Sequence, residues 1–551
     1  MARFFRAAIF MLIFLYAGRA FAAGGTCPSG ANYLNSIGQL VTLTSLGVTN
    51  CYYITADGSD SNDGLSEASG HPWAHLPGMS TCTGNCAAVT PAAGMGFIFR
   101  GGDTWNGSNL GINWNWGGTA TSPIYIGVDP AWHSGSSWSR PIWTCGGADC
   151  SGATAAYYFQ SSKSYITVDN IEVPGFFVSS TNTGAYIFGA CGANQIYENI
   201  YAHGWSTNVG PIGTVGTVFH GGCGNDITGT TFRYNVLDGS DTSQNMMTGI
   251  YPVIPIAYGN VIRYVVTGID GPGDIWHDNL VEYLVQSTVT SHQDGMYHVT
   301  QYSVPNSLIY NNVIRNTTNP LTAGAVKLWL NGNAACPYSS CTSYAFNNVI
   351  YNNYPGNMVD VGGHEAVNYG TWYIFNNTFD CGMDSVLGPC AIGDQGNTGG
   401  AMTLYAYNNH WISTSSGPSQ FTCTKTFICN TDTTNDVVQT LAVANGQGYN
   451  DTGTYGFIPT SSSGSTVGKG TDQSSLCTAV NTIDSDAGAA CNASTAYACA
   501  YNLANHTVSC PARTAVARPS GAWDVGAYQF STTATQAAAP KPPQGLVASV
   551  Q

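Results

Sequence analysis

The stretch Ser291-His292-Gln293-Asp294-Gly295-Met296-Tyr297-His298 places two histidines and a carboxylate within seven residues. The whole chain of 551 residues holds eleven histidines and five lysines, so this concentration stands out. About one coil later comes Gly324-Ala325-Val326-Lys327-Leu328-Trp329, with a lysine in the middle of an apolar run. Two chemistries suit these residue types. Removing a proton beside a carboxylate, as in β-elimination from a uronic acid, needs a base of lowered pKa and a cation on the carboxylate. Neighbouring His298 and Lys327 would each disfavour the other's charge and so supply the base. Hydrolysis of a glycosidic bond needs two carboxylates instead, about 5 Å apart to retain configuration and about 6.5–9.5 Å apart to invert it. Asp294 with Asp270 or Asp274 offers such a pair. The candidate catalytic set is therefore His292, Asp294, His298, Lys327, Asp270 and Asp274. Trp329, His364 and Glu365 are candidates for substrate binding, and His220, His277, Asp278 and Asp360 lie in neighbouring repeats. The competing reading is structural: Asp and Gly make turns, His caps backbone groups and Lys snorkels over a sheet.

For these residues to meet, something must bring positions about 30 residues apart side by side. A repeat does so. A polar residue, usually Asn, followed by apolar residues recurs at Asn170, Asn199, Asn235, Asn260, Asn279, Asn312, Asn348, Asn377 and Asn409. Short β-rich runs such as Thr371-Trp372-Tyr373-Ile374-Phe375 precede these positions, and no helical period is present. A coil of this length holds about three strands of roughly 5 residues. Stacked coils set equivalent residues about 4.8 Å apart, so a recurrent Asn becomes a ladder of side-chain amides around an apolar interior. Aligning Gly295 with Gly324 puts His298 opposite Lys327. Alternation then points both outward, with Met296 and Trp329 outward too and Tyr297, Val299, Val326 and Leu328 inward.

The phrases Asn311-Asn312-Val313-Ile314-Arg315-Asn316 and Asn347-Asn348-Val349-Ile350-Tyr351-Asn352 resemble bacterial right-handed parallel β-helix repeat proteins of the pectate-lyase-like superfamily. Tyr52 to Gly64 resembles the first coil of many such helices. Arg518-Pro519 with Trp523 to Tyr528 resembles their closing strand. The resemblance covers roughly residues 51 to 530. It implies an all-β solenoid and an extracellular polysaccharide as partner, acted on by a lyase or glycoside hydrolase. The alternative is a non-catalytic adhesin or a glycan-binding or structural solenoid. The combined polygalacturonase motifs and a clear pectate-lyase calcium and arginine constellation are not found.

Arg3 and Arg6, the apolar run Ala7 to Tyr16, and Ala20-Phe21-Ala22 read as a secretory signal peptide over residues 1–23. Residues 24–165 are expected to form an N-terminal cap and first coils, 166–420 the β-helix core, 421–530 C-terminal coils and a cap, and 531–551 a disordered tail. No later run is long and apolar enough to span a bilayer. The expected location is secreted, cell-surface or periplasmic. Eighteen cysteines, several close together as in Cys82/Cys86, Cys145/Cys150, Cys336/Cys341, Cys381/Cys390 and Cys423/Cys429, then read as disulfides. Loss of Arg3, Arg6 and Arg19 takes the fifteen basic residues to twelve against thirty acidic ones, a net −18. That balance excludes the phosphate-neutralising surface of a nucleic-acid binder. Only 8% of residues are charged, so the surface relies on hydroxyls, amides and aromatic rings, which suit sugars. Asp57, Asp60, Asn62, Asp63 and Gly64 could hold calcium, although their spacing departs from an EF-hand loop and fits turns equally well.

Overall fold

The computed structural model describes residues 24–531 apart from 35–38, 146–155, 179–183, 208–215, 242–247, 286–293, 301–305, 318–325, 334–340, 352–356, 362–369, 381–391, 395–401, 414–427, 432–434, 450–455, 495–499, 503, 505 and 510–515. The expected signal peptide, the tail from residue 532, and His292, His364 and Glu365 lie outside the described residues.

Three long sheets of fourteen, ten and twelve strands run the length of the chain. Through the coils, each strand pairs in parallel with its counterpart one coil later. Thr167 aligns with Ile196 and then Thr231, while Val236 aligns with Val261, then Leu280, then Val313. This is a right-handed parallel β-helix. One continuous apolar core fills it, from Tyr52 and Trp73 through Ile262, Val281 and Ile314 to Trp411. The strands are short because each coil must turn three times. β-branched and aromatic residues hold them extended between Asn and Gly corners.

The corner between the fourteen- and twelve-stranded sheets carries the amide ladder. Asn235, Asn260, Asn279, Asn312, Asn348, Asn377 and Asn409 are joined by six Nδ2–Oδ1 bonds of 2.9–3.1 Å. From Asn260 onward each Oδ1 also accepts the backbone N–H of the ladder residue before it, as Asn312 does from Asn279 at 3.1 Å. Asp436 ends the stack by accepting from the Asn409 N–H at 2.7 Å. Asn170 and Asn199 belong elsewhere. They occupy the left-handed position one residue earlier, with φ of 59° and 55°, which Tyr234, Asp278, Asn311, Asn347, Asn376 and Asn408 take in later coils. The Asn-Asn pairs thus combine two requirements: the first residue must tolerate positive φ, and the second must bridge coils.

The terminal segments lie against the outside of the solenoid. Cys27, Tyr33, Leu43 and Val48 cover the outer face of the first coils over Cys51, Tyr53, Ile98 and Tyr125. At the other end the helices Ser474–Ile483 and Ser485–Cys491 cover Leu308, Tyr310, Phe346 and Phe375. Disulfides Cys27–Cys51 and Cys477–Cys491 fasten these two covers. Cys82–Cys86 is a local staple as expected, while Cys191–Cys223 joins consecutive coils across 32 residues. Cys145 and Cys341 are also disulfide-bonded. The segment Trp523–Tyr528 differs from a closing strand. Ala527 and Tyr528 belong to an apolar cluster outside the twelve-stranded sheet, the Ala527 N–H donates to the Thr378 Oγ1 at 3.0 Å, and the Asn376 amide donates to the Asp524 carbonyl. Among the described residues, no helix is long and apolar enough to cross a membrane.

Candidate functional site

Asp270, His298, Lys327 and Trp329 belong to strands of the ten-stranded sheet, where the register differs from the expectation. Met296 pairs with Leu328, Tyr297 with Trp329 and His298 with Leu330. Lys327 therefore sits in the Gly295 position, and His298 does not face it. The facing also differs. Met296 and Leu328 are both in the core, and His298 is fully buried between the rings of Trp276 and Trp372, at 5.3 and 5.5 Å. One ring nitrogen of His298 bonds the Gly273 carbonyl at 2.9 Å, and burial pulls its pKa down to about 4. Such a histidine is a neutral packing residue at any ordinary pH.

Lys327 is buried rather than outward. Its column runs back through Gly295, Gly268 and Gly249. A Cβ at those three glycines would come within 3.0 Å of Ile314, Val281 and Ile262, all interior residues. Both this column and the next one, Ile250, Ile269, Met296 and Leu328, thus face the interior. Two successive inward residues at the corner reverse the alternation that the sequence suggests. Burial pulls the Lys327 ammonium down to about 8, with the Asp294 carboxylate opposing that shift. Asp294 is itself 5% exposed.

The outward column lies one residue further on. Gln160, Gly189, His220, Tyr251, Asp270 and Tyr297 follow one another coil by coil, with Trp329 and Asp360 continuing the register. Adjacent members stand about 4.8 Å apart along the helix axis. Tyr186 flanks the column, its ring stacked on His220 at 4.6 Å and its hydroxyl donating to the Gln160 Oε1 at 2.6 Å. Tyr157 stacks behind it at 5.9 Å, and Tyr251 meets His220 edge-on at 6.5 Å. Tyr251 is 41% exposed. Burial lowers the His220 pKa and leaves the ring neutral.

Of the expected catalytic residues, Asp270 is the one that belongs to this column, where it is only partly exposed. Burial, and then the Asp294 charge, push its carboxyl up to about 8. A carboxyl raised this far keeps its proton at neutral pH. Asp274, four residues on in the turn to the next sheet, is pushed up to about 6 by burial. His277 and Asp278 bond each other at 2.6 Å on a different face, in the fourteen-stranded sheet. Sequence reasoning missed Tyr186, Tyr251 and Tyr297 as residues of the partly exposed outer face. The marker for Tyr251 and Tyr297 is the pattern Thr248-Gly249-Ile250-Tyr251, Thr267-Gly268-Ile269-Asp270 and Asp294-Gly295-Met296-Tyr297, whose fourth position is the outward one.

The acidic string at residues 57–64 does not converge. Asp57 pairs with Arg100 at 2.9 Å and Asp63 with His71 at 2.9 Å. Asp60 accepts from the backbone N–H groups of Ala74, His75 and Thr83. These carboxylates order the first turn, and no cluster of metal-binding side chains occurs among the described residues.

No protein-family model matches the chain, and no curated protein matches it either. Solved structures similar to it include the GH136 lacto-N-biosidase from Eubacterium ramulus, at 13% identity over 69% of this chain and 67% of that one, with a TM-score of 0.44. Pectate lyase Pel9A is similar at 14% identity over 87% of this chain and 96% of that one, with a TM-score of 0.37. The PL6 family polysaccharide lyase Pedsa3628 from Pseudopedobacter saltans is similar at 14% identity over 64% of this chain and 90% of that one, with a TM-score of 0.35.

Proposed function

We propose that this protein is exported and binds an extracellular polysaccharide along the outer face of the ten-stranded sheet, hydrolysing it with Asp270 as general acid. The observation that carries this reading is the outward column itself. It sets stacked aromatic rings and a protonated carboxyl in one line at the spacing of the coils. Tyr186, His220, Tyr251 and Tyr297 offer ring faces and edges to pyranose C–H surfaces. Asp270 gives its proton to the glycosidic oxygen, and Asp274 serves as the second carboxylate. Elimination is the weaker chemistry here, because no Lys or Arg among the described residues stands in the column to neutralise a uronate. Disulfides on both terminal covers support an oxidising compartment.

A second reading, a glycan-binding protein without catalysis, is favoured by one observation. His298 and Lys327 are buried, so the cluster that drew attention in the sequence does not assemble on the surface. A polysaccharide panel scored for reducing ends and for unsaturated-uronide absorbance separates the readings. Hydrolysis predicts reducing ends without the absorbance, abolished in Asp270→Asn. Absorbance would overturn hydrolysis in favour of elimination. Silence in both assays, with binding lost in Tyr251→Ala, would leave the binding protein.

A further inference from the structure

We infer that a second glycan site, for a neutral oligosaccharide, lies on the fourteen-stranded sheet beside the N-terminal cover. A cleft of about 560 Å³ opens there, within the roughly 300–1,000 Å³ range of small-molecule sites. Its floor is the outward column Thr167, Ile196 and Thr231 of three consecutive coils. One wall is the N-terminal segment with Tyr33 and Ser45, and the other is the turn at Thr121. That turn is closed by reciprocal backbone bonds between Thr119 and Ser122 at 3.0 and 3.1 Å, so the rim is preformed. Tyr165 and Asn194 line the end of the cleft from the left-handed corner position, with φ of 59° and 55°.

The chemistry of the lining selects the ligand. Among the described residues the cleft contains hydroxyl, amide, aromatic and aliphatic side chains and no Asp, Glu, Lys, Arg or His. The charged pair beneath Tyr33 is already matched: Arg233 bonds Glu198 at 2.7 Å, and both are buried. An anionic sugar would lose hydration there and gain no cation. A neutral sugar would exchange water for the hydroxyls of Thr121 and Tyr165 and the carboxamide of Asn194, while the Tyr165 ring takes its apolar face. This site stands whether or not the ten-stranded face cleaves, because the two share no residue.

Calorimetric titration of the full chain with neutral gluco- and galacto-oligosaccharides and with oligogalacturonate tests the assignment. Neutral oligosaccharide should bind, at least tenfold tighter than the uronate. Thr121→Trp fills the mouth from an exposed rim position, and Asn194→Gly removes the amide while tolerating the positive φ. Each should weaken binding about tenfold or more, one RT ln 10 step. Three outcomes overturn the site: no neutral ligand binding at millimolar concentration, binding indifferent to both cleft variants, or preference for the uronate.

Discussion

Two aromatic ladders run along this solenoid, and they meet different fates. On the fourteen-stranded sheet, Tyr258, His277, Tyr310, Phe346 and Phe375 stack in succession at 4.7–5.3 Å. The helices Ser474–Ile483 and Ser485–Cys491 lie over its later half, and Tyr310, Phe346 and Phe375 are buried beneath them. On the ten-stranded sheet, the ladder from Tyr186 through His220 and Tyr251 to Tyr297 remains partly exposed and is interrupted by Asp270. Both ladders arise from the same geometry, since parallel coils stack like side chains. What separates them is whether the chain's own terminus occupies the face. A covered ladder contributes apolar burial, whereas an exposed one with a protonated carboxyl is available to a ligand.

The largest expected effect breaks the exposed ladder's chemistry. Asp270→Asn should reduce hydrolysis about 10²- to 10⁴-fold, measured as initial rates of reducing-end release, with the fold intact by circular dichroism. In the wild type the rate should rise as Asp274 ionises near pH 6 and fall as Asp270 ionises near pH 8. The stability linkage has a definite sign. Because the Asp270 carboxyl is raised on folding, its contribution is fully present below the ordinary carboxylate pKa and is lost as pH rises toward 8. Denaturation midpoints should therefore fall between about pH 4 and pH 8, and less so in Asp270→Asn.

The next effect uncovers the other ladder. Replacing Cys477 and Cys491 by Ser should lower stability by about 2–5 kcal/mol, read from urea midpoints. Binding of a hydrophobic dye should increase as Tyr310, Phe346 and Phe375 lose their cover. A smaller loss, about 1–3 kcal/mol, is expected for Asn312→Ala. That change orphans the N–H of Asn279 and the carbonyl of Trp276 inside the corner, and both faces should loosen together in hydrogen exchange. The smallest effect sharpens the comparison: Tyr251→Ala should weaken polysaccharide binding by up to about tenfold with no change in the urea midpoint.

The fold was legible because its repeat is written in side chains that bridge coils. Seven of the nine recurrent asparagines form the ladder. Asn170 and Asn199 were read one position out because a left-handed corner and a ladder rung favour the same residue type. The site was harder to read for two physical reasons. The glycine column ends at Lys327 rather than at Gly324, so matching glycine to glycine misplaced the register by three residues. Alternation also fails at this corner, where Gly295 and Met296 both face inward. This turned His298 into the core and brought Tyr297 to the surface. Caps were expected at both termini, but the faces they cover were not legible, because their partners are outward residues indistinguishable in sequence from exposed ones.

Oxidative footprinting of tyrosines on the full chain, with and without a bound oligosaccharide fragment of the polysaccharide it recognises, tests the central claim most directly. Tyr251 and Tyr297 should be protected by the ligand. Tyr373 and Tyr405, a partly exposed stacked pair at 4.7 Å on the fourteen-stranded face, should react as before. Protection of Tyr373 and Tyr405 with Tyr251 and Tyr297 unaffected would contradict the account.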